Sequence, residues 1–268
     1  MKEPTTSESK PPTRISVIIP AYNEALLVGP AIESCHALVP APEIILADGA
    51  SSDGTPALAA SLGARVVACT RRGRAFQMNE GARAARGSVF LFLHADTQLD
   101  QAAWDALHAA LRDPRVIFGA FRRRFEPPSL LLSIGSALAV VRGKLWKIFL
   151  GDQCIFVRRG AFEEIGGYSP ILLFEDIDIC RRLRRRGREV LVRGWVTTSR
   201  RRFQAEGNAR RLARNVSLWI RYCFGADANR LARVYYPGYY ETGAADAAGS
   251  AAESSSGARE SKGMKSGS

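Results

Sequence analysis

The chain has 268 residues, and 38 Lys+Arg against 26 Asp+Glu leave a formal net charge of +12. With 46% hydrophobic residues it has the material for one large α/β domain or two small ones, which excludes a wholly disordered chain. Five cysteines, odd in number and never in a C-x-x-C pair, argue against a disulfide framework or a thiolate zinc site and for a reducing, cytoplasmic setting.

The leader 1–13 is polar, carries Pro4, Pro11 and Pro12, and lacks the apolar core of a secretory signal. Ile15 to Pro20 is a short β-branched run closed by proline, the pattern of a strand buried in a parallel sheet. Asn23 is suited to cap a helix with Leu26, Leu27, Ile32 and Leu38 on its apolar face, and Pro30 fits only in an early turn. A second strand follows at Glu43 to Ala47, then a loop from Asp48 to Gly54, a helix start at Thr55-Pro56, and a third strand at Arg65 to Ala68. A helix from Ala75 to Arg86, stopped at Gly87, leads to a fourth strand at Ser88 to Leu93. This alternation predicts a parallel sheet flanked by helices with right-handed crossovers.

Past Asp96 the spacing predicts a helix around Asp100 to Arg112, a strand around Val116 to Phe125, an apolar helix from Leu130 to about Phe149, and a strand from Gln153 to Val157. Helices at Gly160 to Ile165 and Glu175 to Arg186 precede a strand at Glu189 to Trp195, and a last helical region runs from Asn208 to Phe224. Leu212, Val216, Trp219 and Ile220 recur there at helical spacing, a packing pattern. The apolar run from Leu130 to Val141 is shorter than the ~20 residues a bilayer span needs. The Ala/Ser/Gly composition of the tail, 241–268, is that of a disordered segment. The expected organisation is one domain over 14–240, divided into a first half (14–97) and a second half (98–240).

Three carboxylates fall just after strands: Glu24, Asp48 and Asp96. Open parallel sheets bind ligands beyond the carboxyl ends of their strands. Acids there can accept hydrogen bonds from a ribose or a base N–H, or hold a divalent cation against a diphosphate.

Ile18-Ile19-Pro20-Ala21-Tyr22-Asn23-Glu24, Asp48-Gly49-Ala50-Ser51-Ser52-Asp53-Gly54-Thr55, His94-Ala95-Asp96 and Glu175-Asp176, in that order, resemble glycosyltransferase family 2. Arg74 to Asn79, Leu93 to Thr97 and Gly151-Asp152-Gln153 are similar to its subgroup associated with radical-SAM and selenium-domain proteins. The resemblance implies the nucleotide-diphospho-sugar transferase (GT-A) α/β fold and an inverting transfer of one sugar to a hydroxyl. Pro20, Tyr22, Glu24 and Asp48 would line the nucleotide pocket, joined by Arg74, Gln77, Asn79 and Asp96 on the donor side. Asp96 matches the last acid of the family's D-x-D metal motif. His94 replaces the first, and its imidazole suits Mg²⁺ poorly, so the expected Mg²⁺ or Mn²⁺ rests chiefly on Asp96.

Glu175 or Asp176, by position Asp176, would deprotonate the acceptor, and Gly151, Asp152 and Gln153 would lie on the acceptor side. The Q-x-x-R-W motif of the processive synthases is missing; Arg200-Arg201-Arg202-Phe203 stands in the comparable region, with Arg201 and Arg202 candidate diphosphate contacts. The donor implied first is a UDP-sugar; the acceptor is unidentified, with a lipid-linked alcohol among the candidates. Arg142, Lys144 and Lys147 at the end of the apolar helix fit either contact with the inner face of a cell membrane or burial against the sheet.

Two alternatives remain. A basic nucleic-acid-binding protein is favoured by +12 and the Arg181 to Arg188 cluster, but no nucleic-acid module accompanies them, so no nucleic-acid partner is expected. A sugar nucleotidyltransferase would need a G-x-G-T-R loop after the first strand, where this chain has none.

Overall fold

A computed structural model of the chain describes residues 13–236, apart from the side chains at positions 202, 205 and 206. The leader as far as residue 12, the tail from 241 and the Arg202 side chain lie outside the described residues.

Strand β1 (Ile15–Ala21) is buried along its whole length. Its side chains alternate between two layers. Val17 and Ile19 join Val28 and Ile32 of α1 (Ala25–His36), whereas Ile18 joins Met78 of α3 (Arg74–Ala84) on the other face. Burial on both faces is why this segment reads as an unbroken apolar run. Strand β4 (Val89–Phe92) repeats the pattern, with Leu91 on one side and Phe90 and Phe92 on the other. With β2 (Glu43–Asp48), α2 (Thr55–Ser61) and β3 (Arg65–Ala68), the first half forms the expected parallel array β3-β2-β1-β4.

The second half continues through β5 (Thr97–Leu99), α4 (Gln101–Leu111), β6 (Val116–Glu126), α5 (Leu130–Trp146), a 3-10 turn (Gly151–Gln153), β7 (Phe156–Arg158) and α6 (Arg159–Glu164). It ends with α7 (Glu175–Leu183), β8 (Arg188–Ser199), α8 (Arg201–Glu206), α9 (Asn208–Cys223) and α10 (Ala228–Tyr235). The sheet order is completed as β4-β7-β6-β8-β5. β7 is antiparallel to both its neighbours, β6 and β8 are parallel, and β5 is antiparallel to β8. The α/β class and mostly parallel sheet are as expected. A third apolar cluster, Leu173, Leu218, Leu231 and Ala232, ties α9 and α10 to the loop before α7.

Several local expectations are corrected. Asn23 does not cap α1: it sits at φ +52, its Oδ1 accepts the Ser52 N–H (2.9 Å) and its own N–H donates to Ser51 Oγ (2.9 Å). The first turn is held from the next loop instead, by Asp53 Oδ2 accepting the Ala25 N–H at 3.0 Å. Pro30 lies inside α1, and Leu26 is largely exposed while Val28, Ile32 and Cys35 carry the buried face. Helix α2 begins at Thr55 with Gly54 before it at φ +85, α3 begins at Arg74, and α5 stops at Trp146. The region from Gln153 opens in the 3-10 turn, leaving only Phe156–Arg158 as strand, and α7 ends at Leu183 rather than Arg186. β8 runs on to Ser199, and β5, α8 and α10 were not anticipated as elements. The five cysteines are free, and among the described residues no helix is long and apolar enough to cross a membrane.

Candidate active site

β1 and β4 are neighbours from which the chain departs in opposite directions, so the crevice beyond their carboxyl ends is a topological switch point. A cavity of about 80 Å³ lies there, lined by Pro20, Tyr22 and Glu24 after β1, Arg74 and Gln77 of α3, and His94 and Asp96 after β4. A second cavity, of about 170 Å³, shares Arg74, His94, Asp96 and Tyr236 with the first and extends over Gly151, Asp152 and Asp176. Most of the residues singled out in the sequence thus meet around two cavities with a common wall.

The first cavity is built by loops that stitch to one another. Besides the Asn23 and Asp53 contacts, Thr55 Oγ1 accepts the Glu24 N–H at 2.9 Å. The Gln77 amide is buried and donates to the carbonyls of Ala21 (2.6 Å) and Ala47 (3.0 Å), clamping the ends of β1 and β2. A Cβ on Gly49 would stand 2.9 Å from that amide nitrogen, so only glycine lets the clamp close undisturbed. Asp48 is buried at the end of β2; its Oδ2 accepts the Ser51 N–H at 3.0 Å, and its Oδ1 has no hydrogen-bond partner among the described residues. Asp48 does not line either cavity, and Asn79 is not brought to them: its amide exchanges hydrogen bonds with the Tyr168 backbone, both at 2.9 Å, beside Phe162 and Gly167. The Tyr22 ring lies under the Arg72 guanidinium, 4.4 Å from its carbon to the ring centroid.

Two ion pairs cross the site. Arg201 Nη2 meets Glu24 Oε2 at 2.9 Å, so an arginine expected to face diphosphate is engaged with a donor-side carboxylate. Arg74 Nε meets Glu175 Oε1 at 3.0 Å, and Glu175 is only 2% exposed. Burial works against the Arg74 charge, but Glu175, with smaller help from Tyr236, Asp176 and Tyr235, more than offsets it and holds the guanidinium protonated. Burial pushes the Glu175 carboxyl up to about 7 from an ordinary 4.5; Arg74 opposes the rise and Asp176 adds to it. Between those two values the folded chain binds the proton that the unfolded chain has lost, so this group makes stability fall as pH rises from 4.5 to about 7. Glu175→Gln is therefore expected to flatten that part of the stability profile. Urea midpoints compared across the interval test this, and parallel profiles for variant and wild type would contradict it.

Asp176 occupies a different environment from its neighbour. Its Oδ2 accepts the Gly151 N–H (2.8 Å) and its Oδ1 the Ile177 N–H (2.7 Å), which fixes the carboxylate on the wall of the larger cavity. The turn that presents it is strained, since Phe174 before the helix sits at φ +64 and stacks on Tyr222. Gly151 packs against both partners: a Cβ there would lie 2.8 Å from His94 Nε2 and 3.7 Å from Asp176 Oδ2. Asp152 is ion-paired with Arg123, and its Oδ1 has no partner among the described residues. Gln153 is fully buried; its Oε1 accepts from Arg142 Nη2 (2.8 Å) and the Leu150 N–H (3.1 Å), so it holds the 3-10 turn rather than facing the cavity.

The rest of the larger cavity comes from residues the sequence reading passed over: Phe125, Phe203, Arg211, Asn215 and Tyr235 with Tyr236. Arg211 is buried, and its Nη2 donates to the Tyr235 hydroxyl at 3.0 Å. One arginine among many carried no signal, whereas the adjacent tyrosines at 235–236, just before the composition shifts, were the available cue. Among the described residues no cluster of three or more His, Cys, Asp or Glu is arranged to hold a metal ion. Asp96 and His94 line both cavities and are the donors on offer there.

A crevice at a switch point with carboxylates beyond the strand ends defines a ligand site of the kind that open α/β sheets carry. The glycosyl transferase family 2 model matches residues 16–166, and the chain belongs to that family. No curated protein matches the sequence. Among solved structures, the mannosyltransferase PcManGT from Pyrobaculum calidifontis, in complex with GDP-Man and Mn²⁺, is 24% identical with a TM-score of 0.58, over 69% of this chain and 56% of that one. S. aureus TarS is 14% identical with a TM-score of 0.56, over 69% and 36%. Glucosyl-3-phosphoglycerate synthase from Mycobacterium tuberculosis, with Mn²⁺, UDP and glucosyl-3-phosphoglycerate, is 21% identical with a TM-score of 0.51, over 70% of each. The chain spans little over half the length of the first and about a third of the second. At these identities the likeness is one of fold, the GT-A type.

Proposed function

We propose that this protein is a glycosyltransferase that moves one sugar from a nucleotide-diphosphate donor, a UDP-sugar first, to a hydroxyl acceptor with inversion at the anomeric carbon. The observation that carries this reading is the pair of cavities that share Arg74, His94 and Asp96, with Asp176 on the larger one only. The nucleotide lies in the smaller cavity along Pro20, Tyr22 and Glu24, and Asp48 Oδ1, at the end of the adjacent β2 and without a partner among the described residues, suits a base N–H. Arg74, held charged by Glu175, donates to the diphosphate at the shared wall.

Asp176 takes the acceptor hydroxyl proton. The acceptor oxygen then bonds to the anomeric carbon opposite the leaving group, and the electron pair of the broken C–O bond departs with the nucleoside diphosphate. Glu175 positions Arg74 rather than touching substrate. Asp96 and His94 would hold a divalent cation at the shared wall, and the imidazole would favour Mn²⁺ over Mg²⁺. Bound there, such an ion neutralises charge on the leaving diphosphate. Mn²⁺ in PcManGT and in the M. tuberculosis synthase supports this choice.

Phe125, Phe203, Leu218 and Tyr235 give the larger cavity an apolar, aromatic wall, which supports an acceptor with an apolar or lipid-linked portion. The free cysteines support a cytoplasmic setting, and we read 14–240 as one domain whose halves meet at the shared wall.

Nucleoside diphosphates with Mn²⁺ are expected to stabilise the protein. A ligand at a hundredfold excess over its Kd adds about 2.7 kcal/mol, roughly 5–10 °C in Tm for a domain of this size. A thermal-shift series with UDP, GDP and their sugars checks this, and no shift with any of them would overturn the reading. Release of pyrophosphate instead of a nucleoside diphosphate would point to a nucleotidyltransferase.

A further inference from the structure

Helix α5 buries Leu132, Ser136, Ala139 and Gly143 and turns another face outward. Leu130, Ile134, Leu138, Val141 and Leu145 recur at helical spacing and are 49–81% exposed. Helix α9 is divided in the same way. Arg211, Asn215 and Leu218 line the larger cavity, while Val216 and Ile220, with Phe224 just beyond the helix, are exposed on another side. Between the two helices lies an apolar groove of about 550 Å³, lined by Leu131, Leu212, Val216 and Ile220. Single exposed leucines are ordinary, but two neighbouring helices that each carry an exposed apolar stripe, with an apolar groove between them, are rare on a protein that meets only water.

The charge around this face selects its partner. Neither helix contains an Asp or Glu, and together they carry Arg142, Lys144, Arg210, Arg211, Arg214 and Arg221. Of these, Lys144, Arg210 and Arg221 are exposed. A second copy would bring the same cations against themselves on a chain of net charge +12, which disfavours self-association through this face. An anionic lipid surface supplies what the face lacks: headgroups for the cations and the acyl boundary for the leucine stripe and the half-exposed Trp146. The helices lie on such a surface rather than crossing it.

We propose that the α5–α9 face docks this protein on an anionic membrane. Because the inner side of α9 lines the larger cavity, docking brings that cavity within one helix diameter, about 10 Å, of the lipid. Where the transferase reading also holds, the hydroxyl of a lipid-anchored acceptor reaches Asp176 while its anchor stays in the bilayer.

The test is sedimentation of the full chain with phosphatidylcholine vesicles, with and without phosphatidylglycerol, at low and high salt. Binding is expected with the anionic vesicles and reduced by salt, and the double variant Ile134→Glu, Leu138→Glu is expected to lower it by at least about tenfold. Both positions are exposed, so the variant should keep the wild-type melting temperature; should it not, Lys144→Glu with Arg221→Glu tests the same face by charge alone. No sedimentation at low salt, or undiminished binding by a folded variant, would overturn the proposal. So would light scattering that shows a wild-type dimer made monomeric by the variant. Vesicle binding without nucleotide stabilisation would leave the docking intact and remove the donor assignment.

Discussion

Asp176→Asn is expected to slow sugar transfer by about 10²–10⁴-fold while leaving nucleoside diphosphate affinity within about twofold. The carboxylate lines the larger cavity and not the smaller one, so its loss strips the acceptor side of its base and leaves the donor contacts in place. Asparagine preserves size and can accept one of the two backbone N–H bonds that Asp176 accepts from Gly151 and Ile177. The other bond is lost at a cost of about 1–3 kcal/mol, small enough for the fold to survive. Asp178→Asn is the matched control, because Asp178 pairs with Arg182 at 2.7 Å within the same helix and touches neither cavity. Single-turnover transfer together with calorimetric titration of UDP or GDP separates the two effects. Transfer within tenfold of wild type would remove Asp176 from the role of base, and equal loss of binding and transfer would mean that it serves the donor.

Asp96→Ala should have the complementary signature, with both Mn²⁺ affinity and the metal-dependent part of nucleotide stabilisation falling by at least about 100-fold. Asp96 is the one carboxylate found on the lining of both cavities, and beside it the described residues offer His94 but no third donor. A site with so few protein ligands depends heavily on each of them. Electron paramagnetic resonance of Mn²⁺ in the presence of UDP or GDP reads the loss without recourse to turnover. His94→Ala should weaken the same signal less. Unchanged Mn²⁺ binding in Asp96→Ala would place the ion elsewhere or remove it from the scheme.

The first half of the molecule was legible because its strands are buried on both faces and its connections are short. Ile15 to Ala21 and Val89 to Phe92 had to be buried throughout and are apolar but for Ser16, whose hydroxyl donates to Glu43, and the acids that follow them had to be exposed to the crevice. The acid pair at 175–176 was legible as a motif, but the division between its members was not. Only packing shows that Glu175 turns inward onto Arg74 while Asp176 turns to the cavity. Asp53, which holds the first turn of α1, and Gln77, which clamps β1 to β2, act across loops distant in sequence, where no periodicity connects the partners. β5 is three residues long, too short for a pattern, and exists because β8 runs on to Ser199 to pair with it. The family match ends at residue 166, before α7, α9 and α10 supply much of the wall of the larger cavity.

The Glu24–Arg201 pair joins residues 177 positions apart, and Tyr236 closes both cavities. During synthesis the parallel half can pair as soon as β4 has emerged, because all four of its strands lie within residues 15–92. The crevice, in contrast, stays a one-sided shelf of carboxylates until nearly the whole described chain has left the ribosome. The pairing of the first four strands can therefore precede the closing of the crevice, which waits for Arg201 and Tyr236 to arrive.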